Sequence, residues 1–235
     1  MLGIGEAHTP VGLEHLASTA RRFSDDLLPV VDGRASHLIV ELLNPNPRCK
    51  VATEEVREAH EPVTKPQSQH NQSDYVELGR LAKAHGIEPF VLSPTCAEYE
   101  AIASAGTDAI SRTLSTIADV TSRMARGALV SNYKAGRERL VMAYGGALHN
   151  DVEPDSAHAA WSYGPLLIAF TKGRYVELDL IVRELIKDNQ VWRSLPWYSS
   201  FDPELYPQSY VLMRTAPRAY VLFFPKSSAA TAPAP

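Results

Sequence analysis

Three short stretches of this chain hold ionisable side chains at spacings that could do chemistry. Residues 5–8 read Gly-Glu-Ala-His, so Glu6 and His8 stand two apart and point the same way if the chain is extended. Residues 146–149 read Gly-Ala-Leu-His. Gly145 precedes them, and the glycine pair permits a tight turn that delivers His149 and, beyond it, Asp151. Between the two motifs, Glu41 lies inside the apolar run 37–43 (HLIVELL), where an ionised carboxylate is costly unless it is paired, hydrogen-bonded or metal-bound. Two imidazoles and two carboxylates suit a divalent cation, and they suit metal-free general acid–base hydrolysis equally well. The residues alone leave both open.

The Gly-x-x-His spacing is weak evidence by itself, because Gly12 and His15 also match it at a helix start. Position distinguishes the other two: each follows an apolar, strand-like run and opens a polar turn. The elements that must place them are readable. Residues 2–5 form a short strand, and 13–31 carry apolar residues near a period of 3.6, closed by Asp32-Gly33. The run 37–43 reads as a strand covered on both faces. Residues 44–73, with Pro45, Pro47, Pro62 and Pro66, read as a long lid or flexible insertion holding at most one short helix over 53–60. A helix over 75–85 capped by Asp74, a strand over 89–93 (PFVLS) and helices over 95–105 and 108–134 follow, then a strand over 139–144 that Gly145-Gly146 breaks. After Pro154, the apolar segment 163–170, a turn at Lys172-Gly173, a strand over 175–182 and a short helix over 182–187 lead to a terminal hairpin of 210–214 with 219–224.

Strand–helix alternation up to Asn150 predicts an α/β fold: a mainly parallel central sheet with helices on both faces, and antiparallel strands added near the C-terminus. Residues 1–226 are expected to form one domain, and the Ser/Ala/Pro-rich residues 227–235 a disordered tail. In such sheets sites form at the carboxyl ends of the strands, which is where Glu6, His8 and His149 fall.

Composition narrows the partners. Lys and Arg number 23 against 27 Asp and Glu, with no basic block, so nucleic acid is not an expected partner. The N-terminus lacks a signal-peptide pattern and no apolar run approaches the roughly 18 residues of a membrane span. A cytoplasmic protein acting on a small molecule or peptide is expected. The chain enters a strand at Leu2, which suggests an upstream segment that is missing or was never needed. Cys49 and Cys96 belong to no Cys-x-x-Cys motif; a disulfide between them is open but has no support in the sequence, and Cys96 reads as a small core residue rather than a reactive thiol. His37, His60, His70, His85 and His158 read as surface or satisfied histidines, Tyr144 as a packing residue, and Tyr163 as a residue that could turn toward the cleft.

The strand–GEAH turn, the strand bearing Glu41 and the strand–GALH turn, in this order over residues 2–150, resemble the superfamily that joins Tiki/TraB proteases, ChaN-like haem-binding proteins and erythromycin esterases. GEAH is especially similar to the opening motif of the ChaN and esterase branches. The resemblance implies one site made of Glu6, His8, Glu41 and His149. It also implies an arginine on the helix before the last motif strand, for which Arg123 is the nearest candidate and Arg126 the second. It further implies a hydrolase of an amide or ester bond, with a divalent metal ion (Mn, Co, Zn or Fe) held by Glu6, His8, Glu41 and His149 and with Arg123 stabilising the oxyanion. The other branches imply two alternatives: a haem-binding protein without catalysis, and a metal-independent esterase.

Overall fold

The run around Glu41 is apolar without alternation because both of its faces are covered. In the computed structural model, which describes residues 1–227, it forms β2 (Ala35–Leu43), one of seven strands in a single sheet. The others are β1 (Leu2–Glu6), β3 (Glu88–Leu92), β4 (Leu140–Gly146), β5 (Val176–Ile181), β6 (Val211–Ala216) and β7 (Ala219–Phe223), in the spatial order β3-β2-β4-β1-β5-β7-β6. Every neighbouring pair is parallel except β6 with β7. The expected α/β fold, with its antiparallel C-terminal pair, is therefore present, although β5 and β7 run parallel to the centre.

Successive side chains of β2 and β4 go to opposite faces. Leu38, Val40, Met142 and Tyr144 join a core with Ile4, Phe23 and, from α3 (His70–Ala84), Tyr75, Leu78 and Ala82. Ile39, Val141 and Ala143 join a second core with Ile117, Val120 and Ala125 of α5 (Ala109–Lys134) and Leu167 of α6 (Gly164–Phe170).

Three local expectations are corrected. The first helix begins not at residue 13 but at α1 (Thr19–Arg22), which continues through a π-helical turn over Phe23–Leu27 and a 3₁₀ turn over Leu28–Val31. Ser18, extended at ψ 161°, caps the helix by accepting the Arg21 N–H, and the chain before it turns at Gly12, φ +91°. The backbone around it is instead tied to the segment before α3. Val11 N–H donates to Pro66 O at 3.0 Å and Ser68 N–H to Thr9 O at 2.8 Å, and Asn71 Nδ2 also donates to Thr9 O at 2.9 Å.

Residues 44–73 are mostly helical rather than loop. They hold α2 (Lys50–Thr64) and the first turn of α3, which begins five residues before the predicted start. Pro62 stands in the last turn of α2, where one missing hydrogen bond disrupts least. Ala52 and Val56 bury the inner stripe of α2 against Tyr99 and Ile102, in a small core beside α4 (Cys96–Ala103). Residues 163–170, expected to be apolar chain before a hairpin, are the helix α6, with Pro165 in its first turn.

Cys49 and Cys96 form a disulfide, their Cα atoms 5.6 Å apart. The bridge follows from the sheet: Leu43 pairs with Leu92, and Asn44 N–H donates to Leu92 O at 2.8 Å, so the chains leaving β2 and β3 start side by side. It pins the start of α2 to the start of α4. The tail, from residue 228 on, lies outside the described residues. No described helix is long and apolar enough to cross a membrane. Because the bridge closes a loop of 47 residues, Cys49→Ser is expected to destabilise the protein by about 2–4 kcal/mol in denaturant melts, and reduction of the wild type should do the same. Equal midpoints for oxidised and reduced protein would show that the bridge contributes nothing.

Candidate active site

β1 and β4 are adjacent at the middle of the sheet, with Glu6 opposite Gly146, so the two motif turns leave the same edge. From β1 the chain moves outward through β2 and β3. It then returns to β4 and continues on the other side of β1 through β5, so the polar turns lie where the winding reverses.

Glu6 is 3% exposed and saturated by donors. Tyr75 Oη donates to its Oε1 at 2.9 Å, Tyr144 Oη donates to Oε2, and His8 Nδ1 lies 2.9 Å from Oε1. A carboxylate is acceptor-only, so His8 carries its proton on Nδ1 in this contact and presents a free Nε2. Its side chain is 27% exposed and therefore reachable. Burial works against the charged imidazole, but the hydrogen bond and charge of Glu6, with the charge of Glu41 behind them, outweigh it and hold the His8 pKa above the ordinary histidine value.

Glu41 leans across the end of β4. It accepts the Gly146 N–H at 2.8 Å, and a side chain at Gly145 would occupy the space of its carboxylate. That close approach is why the first glycine of the pair is needed. His149 lies beyond the turn, 3% exposed, with Nδ1 2.6 Å from Trp161 O and Nε2 3.5 Å from Glu41 Oε1. The carbonyl fixes its tautomer as it would for a metal-bound histidine or a catalytic one. At Glu41 burial alone would raise the pKa, but His149, His8 and the Gly146 amide together hold it below the usual carboxylate value. At His149 burial again opposes charge, and Glu41 and the Trp161 carbonyl prevail to raise its pKa. A Cβ on Gly146 would lie 3.7 Å from His8 Nε2, 3.8 Å from His149 Cδ2 and 3.9 Å from Glu41 Oε2, so the three side chains converge on one point.

All four strand-end residues read from the sequence are thus gathered, in two tiers: His8, His149 and Glu41 face the cleft, while Glu6 stands behind His8. Arg123 is not among them. It projects from α5 and pairs with Glu98 at 2.8 and 3.2 Å on the surface, correcting its expected place at the site. Arg126 lies over the Phe170 ring, 5.4 Å from its centroid. Glu6 is committed to three donors, and among the described residues no three His, Cys, Asp or Glu side chains are gathered so as to hold a cation.

Several site residues escape sequence reading. Tyr75 reaches Glu6 from α3. His60 lies on the inner stripe of α2, four residues after Val56, with Nε2 enclosed and without a partner among the described residues. Burial lowers its pKa, although the charge of Glu41 acts on it in the opposite direction. Under the β1 end lies a buried acidic pair on β5. Asn150 Nδ2 donates to Asp179 at 3.0 Å, and Glu177 accepts the Val152 N–H at 2.7 Å. Period-2 alternation along VELDLI would have flagged these two carboxylates as one face of a strand.

Comparison with protein-family models and with curated proteins finds no match. Among solved structures, the chain is similar to the type III effector HopBA1, at 9% identity and a TM-score of 0.46, covering 96% of this chain and 88% of that one.

Burial raises Asp179 to about 7, against the opposing hydrogen bond from Asn150, and burial plus the charge of Asp179 raises Glu177 to about 8. Both groups hold protons more tightly folded than unfolded. Their contribution to stability is therefore full below their unfolded values of 3.8 and 4.5, and is lost as pH rises through about 7 and 8. The melting temperature should fall between roughly pH 5 and pH 9, and Asp179→Asn with Glu177→Gln should flatten that slope. An unchanged slope in the double variant would assign it elsewhere.

Proposed function

We propose that the chain is a hydrolase of an ester or amide bond, using a histidine–carboxylate dyad to activate water. The observation that carries this reading is the Glu6–His8 pair: Nδ1 is held at 2.9 Å by a buried carboxylate, while Nε2 makes no hydrogen bond among the described residues and lies with His149 and Glu41 around the Gly146 position. His8 Nε2 takes a proton from water, and the hydroxide adds to the carbonyl carbon as the C=O electron pair moves onto oxygen. His149, whose charged form Glu41 favours, gives a proton to the leaving oxygen or nitrogen when the tetrahedral adduct collapses. The proton on His8 then returns to solvent, and His149 takes one from solvent, which restores both. Glu6 orients His8 and stabilises its charged form, as the carboxylate does in a serine-protease triad.

A metal-assisted version of the same hydrolysis is favoured only by the convergence of His8, His149 and Glu41 on the Gly146 position, and no step is derived through a cation. Chelation separates the two: the proposed enzyme keeps its activity after exhaustive dialysis against EDTA.

His8→Ala is expected to lower kcat/KM on p-nitrophenyl esters or peptide p-nitroanilides by roughly 10²–10⁴-fold. The wild-type profile should be bell-shaped, rising as His8 loses its proton with a midpoint above the ordinary histidine value of 6.5, and falling as His149 loses its own. Glu6→Gln removes the charge that raises His8, so its midpoint should move to lower pH. Activity that survives His8→Ala, or a midpoint that does not move in Glu6→Gln, would overturn the dyad.

A further inference from the structure

The face of the sheet that carries Ile4 and Tyr144 is covered unevenly. α3 and the helical turns after α1 pack over its central strands. Beyond β5 the face is open: Leu212, on the edge strand β6, is 61% exposed, and Leu178 and Leu222 are only partly buried. Between this open half and the helical turns lies a cavity of about 360 Å³. Phe23, Leu27 and Met142 line it with Leu178, Leu212 and Leu222, and Val30, 63% exposed, stands on its rim. The helical wall is irregular here, a π turn over Phe23–Leu27 running into a 3₁₀ turn over Leu28–Val31, and π turns are frequent at functional sites. Leu2 and Val176, at the starts of β1 and β5, also line the cavity, so it lies toward the sheet edge opposite His8 and His149.

The pairing of β6 with β7 grades the side chains along this cavity. Leu212 is in register with Leu222, and Arg214 with Tyr220, which also lines the cavity. Strand alternation puts Arg214 on the same face as Leu212. In the other direction, Tyr210 packs on Phe224 with ring centroids 5.9 Å apart, and Arg22 lies over the Phe224 ring. Aromatic rings therefore bound one end, the middle is aliphatic, and a guanidinium stands at the other end. Arg214 is exposed. Its Nε donates to Ala216 O at 3.3 Å, and it forms no ion pair among the described residues. Of the acidic side chains on the helical wall, Asp25 is paired with Arg21 at 2.7 Å and Asp26 stands beside the Tyr210 hydroxyl.

We propose that this cavity binds the aliphatic chain of a free carboxylic acid of roughly ten carbons, with the carboxylate paired to Arg214. The walls, the Tyr220 hydroxyl apart, offer water no hydrogen-bonding partner, so water gains little by entering. An apolar cavity on the order of 150 Å³ holds a benzene ring, and one of this size holds a longer chain. Burying that chain also covers Leu212 and Val30, which are otherwise left in solvent. The charge at the open end selects an anionic head over a cationic one, because no carboxylate lines the cavity. The site stands apart from the histidine cleft and does not depend on the hydrolase reading.

The full chain is titrated by calorimetry at neutral pH with decanoate, which is ionised there, and with 1-decanol as its uncharged counterpart. Saturable binding of one decanoate per chain is expected, with a rise in melting temperature. Arg214→Gln should weaken decanoate about 5-fold and leave 1-decanol within about 2-fold. Leu212→Glu, at an exposed position that tolerates a charge in the free protein, should abolish binding of both. His8→Ala should bind decanoate as the wild type does. No saturable binding, or unchanged decanoate affinity in Leu212→Glu, overturns the site, and loss of binding in His8→Ala would move it to the histidine cleft. Arg214→Gln weakening both ligands equally, or neither, overturns the pairing with the carboxylate. Two other occupants are separable in the absence of decanoate binding. Dimerisation in sedimentation that Leu212→Glu abolishes would make the face an interface between copies, and co-sedimentation with phosphatidylglycerol vesicles would make it a membrane contact. Either result overturns the proposal.

Discussion

A single buried carboxylate organises this molecule. Glu6 closes β1 at 3% exposure and accepts from Tyr75 on α3, Tyr144 on β4 and His8 on the following turn. An isolated ionised carboxylate in that position would be prohibitively costly. Three donors remove the cost, and each must be delivered by a different part of the fold. α3 has to pack across the sheet with Tyr75 inward, β4 has to lie beside β1 in register, and the turn has to bring His8 back over the strand. Losing any one would leave a buried charge short of a partner, which is more damaging than the loss of an ordinary hydrogen bond. The site is in this sense a condition of the fold as much as a product of it.

The second constraint is the close passage of Glu41 over Gly145. Glu41 comes from β2 and the glycine from β4, so the pair fixes the relation between two neighbouring strands at their carboxyl ends. Its other partners are the Gly146 amide and His149. Together the two carboxylates divide the work. The fully donor-saturated one holds His8 at Nδ1, and the other lies against His149. The net charge of the four groups stays near zero when both histidines are protonated, which is how two imidazoliums can be tolerated so close together.

Strand ends were legible in the sequence because they break an apolar pattern. Glu6, His8, Glu41 and His149 each interrupt or follow a buried run, and a polar residue in such a place needs a reason. The central strands were legible on the same ground, as were the caps at Gly86 and Gly136, both at positive φ. What was not legible depends on contacts remote in sequence. The prolines of residues 44–73 suggested loop, yet α2 is stabilised by burial of Ala52 and Val56 against Tyr99 and Ile102, a tertiary effect that overrides local breakers. Arg123 was nominated by position on a helix, but helical phase turns it outward to Glu98. Cys49 and Cys96 carry no local signal, and only the pairing of β2 with β3 brings them together.

That misread segment bears on how the cleft is enclosed. α2 is tethered at both ends: the disulfide joins its start to α4, and the stretch after its end is bound to the chain that leaves His8, through Val11 with Pro66 and Ser68 with Thr9. A helix held this way is a fixed wall, and the entropic cost of ordering it is met in folding. The wall nevertheless carries enclosed polar atoms without partners, Thr53 Oγ1 and His60 Nε2, on the stripe that also buries Val56. Unsatisfied groups of this kind cost about 1–3 kcal/mol each. A fold that satisfies Glu6 three times over while leaving His60 unpaired distributes its hydrogen bonds unevenly. The groups behind His8 are locked, and α2 keeps spare hydrogen-bonding capacity at Thr53 and His60.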